Sequence, residues 1–106
     1  MDIDENLIQE VVDRILAVTR PERIILFGSA ATGHMGPDSD LDLLVIERGF
    51  TNAREESTRL RAALGSLDIP VDVFPMEPER FEETKNVIGG LAFPANKYGI
   101  VIYEAT

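Results

Sequence analysis

Asp40 and Asp42 stand two residues apart at the head of the apolar run "DLDLLVIE" (40–47), and Asp72 interrupts a second apolar run, "PVDVF" (70–74). Strand side chains alternate between faces. Asp40 and Asp42 are therefore predicted to share one face while Leu41 and Leu43 take the other, with the two Cα atoms about 6.5 Å apart. Asp72, between Val71 and Val73, projects from its own strand in the same way. Three carboxylates on adjacent strands repel one another unless cations intervene. Two Mg²⁺ ions about 3.5–4 Å apart would more than offset them, and such a pair stabilises both the attacking and the leaving oxygen of a phosphoryl transfer. The expected ligands are Asp40, Asp42 and Asp72.

Twelve residues before Asp40, the pair Gly28-Ser29 follows the apolar run "RIILF" (23–27). A glycine at a strand end permits unusual backbone angles and close approach to a ligand. The small residues that follow, "SAATG", leave backbone N–H groups and the hydroxyls of Ser29 and Thr32 free to hold phosphate oxygens. A Gly-Ser pair alone is a weak signal. Placed between two strands and followed by Asp-x-Asp and a later strand-borne Asp, it is strong.

The chain of 106 residues reads as one domain, 1–106, large enough for a core and too short for a second. A formal net charge of −9 argues against a surface that grips nucleic acid through its phosphates, so no direct nucleic-acid binding is expected. No apolar run reaches membrane-spanning length, and "MDIDEN" is the wrong start for a signal peptide, which makes the cytoplasm the expected location. The absence of cysteine excludes disulfides and thiolate metal sites.

The elements that must position the aspartates follow from apolar spacing. Leu7, Ile8, Val11, Val12, Ile15 and Leu16 predict an amphipathic helix over 4–19, with Asp4 as its cap and Pro21 beyond its end. Strands are predicted at 23–27, 40–47, 70–74 and 99–104. A helix over 52–64 ends at Gly65, and a short one follows Pro78 within the acidic segment 77–86. This order predicts an α+β fold, a small mixed sheet covered by helices. Arg54, Arg59 and Arg61 read as an exposed helix face mixed with Glu55 and Glu56, one that reaches at most a phosphate or a partner. The run "EPERFEE" reads as a solvated face anchored by Phe81. His34, Asp38 and Asp68 read as loop or turn residues, and Lys97 and Tyr98 carry no assignment.

Residues 26–46 and 71–74 resemble the signature of the DNA polymerase β-like nucleotidyltransferase superfamily: strand, Gly-Ser, loop, Asp-x-Asp on the next strand, and a third carboxylate on a later one. The wording "SDLDLLV" and the size are similar to the minimal nucleotidyltransferases, antitoxin partners of HEPN-domain RNase toxins in prokaryotes. The resemblance implies a polymerase β-like fold in which Gly28 and Ser29 bind the triphosphate of ATP. It implies that Asp40 and Asp42 ligate both Mg²⁺ ions, and that Asp72 ligates one and helps deprotonate the acceptor. The implied activity is a protein adenylyltransferase: a hydroxyl of the HEPN toxin, a tyrosine, takes AMP from ATP.

With nearly every residue used by the catalytic layer, the acceptor is expected in trans, within a hetero-oligomer. Two other readings stand beside this one. The first is an antitoxin that neutralises by binding alone, favoured by Ala30, Ala31 and Thr32 where many relatives carry arginines. The second is the catalytic subunit of a small-molecule nucleotidyltransferase.

Overall fold

The computed structural model describes residues 5–28, 31, 40–67 and 69–106. Helix α1 (Glu5–Leu16) is followed by strands β1 (Arg23–Phe27) and β2 (Leu41–Ile46), helix α2 (Ala53–Ala63) and strand β3 (Val71–Met76). Two short helices, α3 (Pro78–Thr84) and α4 (Ala92–Tyr98), precede the last strand, β4 (Ile100–Glu104). The sheet order is β3-β2-β1-β4. β1 runs antiparallel to β2 and to β4, whereas β2 and β3 are parallel. This is the mixed sheet the sequence predicts.

β2 lies inside the sheet and is covered on both faces, which is why its sequence reads as a continuous apolar run. On one face Leu41, Leu43 and Val45 meet Ile24 and Leu26 of β1, Val11 and Ile15 of α1, and Leu60 and Leu64 at the end of α2. On the other, Leu44 and Ile46 join Ile25, Phe27, Phe81 of α3, and Ala92 and Ala95 of α4. Truncating a buried leucine in such a core typically costs 2–5 kcal/mol.

The helix ends follow local chemistry. The Asn52 side chain accepts the Glu55 amide at 3.0 Å, which caps α2. Pro78 opens α3, where its missing N–H has no partner to lose. α1 stops at Leu16, three residues short of the predicted end, and turns through 3₁₀-like bonds such as Val18 N to Ile15 O (3.1 Å). Helix α4 is not predicted from the sequence. Pro94 masks it, although a proline in a first turn is tolerated, and the i, i+3 pair Ala92 and Ala95 is its one periodic mark. Lys97 lies on it, with its ammonium over the rings of Phe93 and Tyr98. The acidic run behaves as expected: Phe81 is buried while Glu79 pairs with Arg48 and Glu82 with Lys85.

One expectation is corrected. Glu56 is not part of an exposed face; it is buried beside Glu47, the residue after β2, which is only 1% exposed. Arg59 pairs with Glu56 at 2.7 Å and donates to the Val18 carbonyl at 2.6 Å, and so covers the pair. Thr19 donates its hydroxyl to Glu47 Oε1 at 2.5 Å. Glu47 Oε2 finds no hydrogen-bond partner among the described residues. Burial therefore pushes Glu47 up from 4.5 to about 7, the neighbouring Glu56 acting in the same direction, while Arg59 holds Glu56 below its ordinary value.

A carboxyl raised in the folded state contributes stability that is fully present below its unfolded value. That contribution is lost as pH rises through the folded one. Stability from this site should fall between about pH 4.5 and 7. Glu47→Gln keeps the bond from Thr19 and offers a donor to Glu56 without titrating. Its melting temperature relative to the wild type should rise progressively across that window and level off above it. At pH 8 the gain should be several degrees, since 1 kcal/mol corresponds to about 4–8 °C in a small domain. Calorimetry from pH 4 to 9 checks this, and a pH-independent difference would overturn it.

Candidate active site

Asp42 and Asp72 occupy equivalent positions on neighbouring strands. In the parallel pairing Asp42 lies directly beside Asp72, and on its other side it faces Phe27 of β1. Strand alternation puts both aspartates on the face of Leu44, Phe74 and the α3–α4 layer. That layer covers Leu44 and Ile46 and leaves Asp42 and Asp72 half-buried at the open end. Phe27 and Phe74, with ring centroids 6.0 Å apart, form an apolar floor next to the two carboxylates.

Gly28 ends β1 with φ of 75°, in the left-handed region that glycine tolerates best. A Cβ built there would overlap Oδ2 of Asp42. The close approach expected of this glycine is thus already used within the protein, because the Asp42 carboxylate fills the space a side chain would take. Just beyond, the Ala31 amide donates to the Gly28 carbonyl at 3.2 Å. Ser29, the second expected phosphate-binding residue, lies outside the described residues, as do Thr32, His34, Asp38 and Asp68.

Partial burial raises the Asp42 carboxyl above its ordinary value, with the Asp72 and Asp40 charges adding in that order. Asp40 sits exposed just before β2. It is near enough to act on Asp42 electrostatically, yet no three Asp, Glu or His side chains converge on a single point among the described residues. The described geometry thus sets Asp42 beside Asp72 and leaves Asp40 exposed just before them on the same stretch of chain. Two hard carboxylates side by side, with Asp72 adding to the cost of charge on Asp42, suit a hard divalent cation such as Mg²⁺.

A cavity of about 610 Å³ lies at the opposite end of the sheet. It is lined by Arg48, Glu22 and Glu79, and Arg48 pairs with both glutamates. A smaller one of about 450 Å³ opens beside Asp72 and is lined by Arg61, Leu64, Leu67 and Pro70.

The profile of the nucleotidyltransferase domain family matches residues 5–92, a stretch that contains Gly28 and all three aspartates. The chain belongs to that family. Its fold is also shared with solved structures. A toxin–antitoxin crystallised with AMP-PNP superposes with a TM-score of 0.62 at 21% identity, over 92% of this chain and 73% of that one. A Sulfolobus solfataricus protein assigned as a nucleotidyltransferase superposes with a TM-score of 0.65 at 18% identity, over 93% of this chain and 78% of that one. No curated protein sequence gives a match. Among the described residues no helix of this nucleotidyltransferase is long and apolar enough to cross a membrane.

The sequence pools three arginines of α2 that the structure separates. Arg59 turns inward to Glu56, whereas Arg54 and Arg61 face the edge of β3. Their spacing of seven residues, two helical turns, is the signal that groups them.

Two outcomes follow from the geometry. Asp42→Asn removes a half-buried charge facing Asp72, so the metal-free protein should melt at a higher temperature. The stabilisation that Mg²⁺ and ATP give the wild type should disappear in the variant. Thermal scans with and without both ligands check the pair of effects. Gly28→Ala should cost about 1–2 kcal/mol from the left-handed backbone alone. It should also displace the Asp42 carboxylate and weaken Mg²⁺ binding, as titration calorimetry would read.

Proposed function

We propose that this nucleotidyltransferase is an antitoxin that transfers AMP from ATP to a hydroxyl, a tyrosine, of a partner HEPN RNase toxin. The observation that carries the reading is Asp42 held in register with Asp72 and against Gly28 at the open end of the sheet. The structural neighbour crystallised as a toxin–antitoxin with an ATP analogue supports it.

Asp40 and Asp42 would hold two Mg²⁺ ions and Asp72 one of them; when bound, these ions supply the positive charge that a triphosphate requires. The Gly28 and Ser29 backbone amides would take phosphate oxygens. Asp72 accepts the proton of the acceptor hydroxyl, and the oxygen attacks the α-phosphorus. One P–O bond forms to the acceptor, the bond to the β-phosphate bridge breaks, and pyrophosphate leaves. A modified tyrosine near an RNase site gains a bulky anion that repels RNA.

Label should therefore pass from [α-³²P]ATP, and not from [γ-³²P]ATP, to the toxin and resist denaturation. Asp72→Asn keeps the shape but removes a metal-binding charge and a base, so transfer should fall by roughly 10²–10⁴-fold. Complex formation should persist. A variant that still neutralises the toxin fully at equal stoichiometry would establish binding alone as the mechanism, the reading that the alanines at 30 and 31 favour.

A further inference from the structure

In a chain of net charge −9, five of the ten lysines and arginines are already paired: Arg14, Arg23, Arg48, Arg59 and Lys85 each hold a carboxylate. Of the five that form no ion pair with a described residue, Arg54 and Arg61 share one helix. They lie two turns apart on the face of α2 that runs beside the outer edge of β3, with guanidinium anchor points about 10 Å apart. Arg61 lines the cavity beside Asp72. It also lines a second cavity of about 480 Å³, shared with Arg54, Ser57, Thr58, Phe74 and Leu91. Arg61 lines both spaces, which lie one after the other along α2 and the edge of β3, the first beside Asp72.

The chemistry of the groove is mixed. The Ser57 hydroxyl donates to the Val73 carbonyl at 2.6 Å, and the Thr58 hydroxyl donates to the Arg54 carbonyl at 3.0 Å. Both hydroxyl protons are spent on the backbone, so the strong outward donors are the two guanidiniums. Each is suited to bidentate capture of a carboxylate or phosphate. The far wall is apolar, formed by Phe74, Pro75 and Leu91, and the turn leading to Leu91 exposes Val87 and Ile88, the latter by 82%. Two guanidiniums facing an apolar wall of Phe74, Pro75 and Leu91 fit a polypeptide better than RNA. An RNA strand carries a charge at every nucleotide and would continue past the two guanidiniums into an acidic surface. A peptide needs only two carboxylates and an apolar side chain between them.

We propose that the groove along α2 and β3 is the acceptor-docking site, and that it takes an acidic segment of the acceptor polypeptide, whose hydroxyl then reaches Asp72. This rests on the adenylyl-transfer reading for the role of Asp72, but the docking chemistry is testable by itself. Arg54 and Arg61 are specificity-determining residues for the acceptor.

The experiment compares wild type, Arg54→Glu/Arg61→Glu, and Arg80→Glu as a charge reversal on α3, outside the groove. Binding of fluorescent poly(Glu,Tyr), poly(Lys,Tyr) and a single-stranded 12-nucleotide RNA is measured by anisotropy. The thermal shift with Mg²⁺ and ATP reports folding and the nucleotide site, and [α-³²P]ATP reports transfer to poly(Glu,Tyr). The expected result is wild-type binding of poly(Glu,Tyr) alone, weakened at least tenfold by the double reversal and unaffected by Arg80→Glu, with the nucleotide shift retained. Transfer should then show a raised KM for poly(Glu,Tyr) with little change in kcat. Unchanged poly(Glu,Tyr) binding in the double reversal overturns the proposal, as does RNA binding that the reversal abolishes. Reversal-sensitive peptide binding without label transfer from the wild type would uphold the groove and remove the adenylyl-transfer reading instead.

Discussion

Everything at the open end of the sheet depends on holding two like charges in adjacent register on strands that are otherwise apolar. Burial, then the Asp72 and Asp40 charges, raise the Asp42 carboxyl, so keeping it ionised at that position costs free energy. The fold tolerates it because Asp42 and Asp72 are fixed by their strands rather than by each other. Leu41 and Leu43 anchor one strand and Val73 the other, all buried, and the Asp42–Asp72 register cannot relax without sliding these residues out of the core. The open end is thus strained electrostatically and rigid mechanically, a combination that favours any ligand supplying positive charge.

The other end of β2 handles a buried carboxylate differently, and the contrast locates function. Glu47 is the more deeply buried group, but charges and donors of the chain itself surround it: Thr19 donates to it, and Arg59 pairs with the neighbouring Glu56. Among the described residues no donor or cation of that kind is seen at Asp42. Its neighbours of like charge all raise its pKa, and no described cation pairs with it. A perturbed group whose compensation is internal belongs to the structure, while one whose compensation is missing points to a ligand. By that criterion Glu47 belongs to the structure, and Asp42 is the candidate for the chemistry.

Much of this was legible in the sequence, for identifiable reasons. β1 and β2 are short, fully apolar runs, and the two aspartates break the pattern of β2 at its head, so both the strand and its functional end stand out. Asn52 and Pro78 announce their helices through capping chemistry. The pairing partners were not legible. Whether Asp72 stands beside Asp42 depends on a parallel register that no local pattern encodes. The burial of Glu56 was hidden because α2 is polar on most of its surface, and a glutamate covered by an arginine three residues later looks like an ordinary solvated pair. The short α4 was lost because seven residues with an internal proline carry too little periodicity to read.

The topology itself explains why the candidate docking groove and the aspartates meet. β1 and β2 are antiparallel, so the end of β1 with Gly28 and the start of β2 with Asp42 lie at the same edge of the sheet. β3 is parallel to β2, so Asp72 reaches that edge only if the chain first returns along the length of the sheet. Helix α2 is that return. It begins near the far end of β2, runs back antiparallel to β3, and is held to it by the bond from Ser57 to Val73. A helix that must travel along β3 presents a face to the edge of that strand for its whole length. Residues seven apart on that face are carried from Phe74 and Pro75 at one end to Asp72 at the other. The connection that brings two carboxylates into register therefore also lays Arg54 and Arg61 along the approach to them.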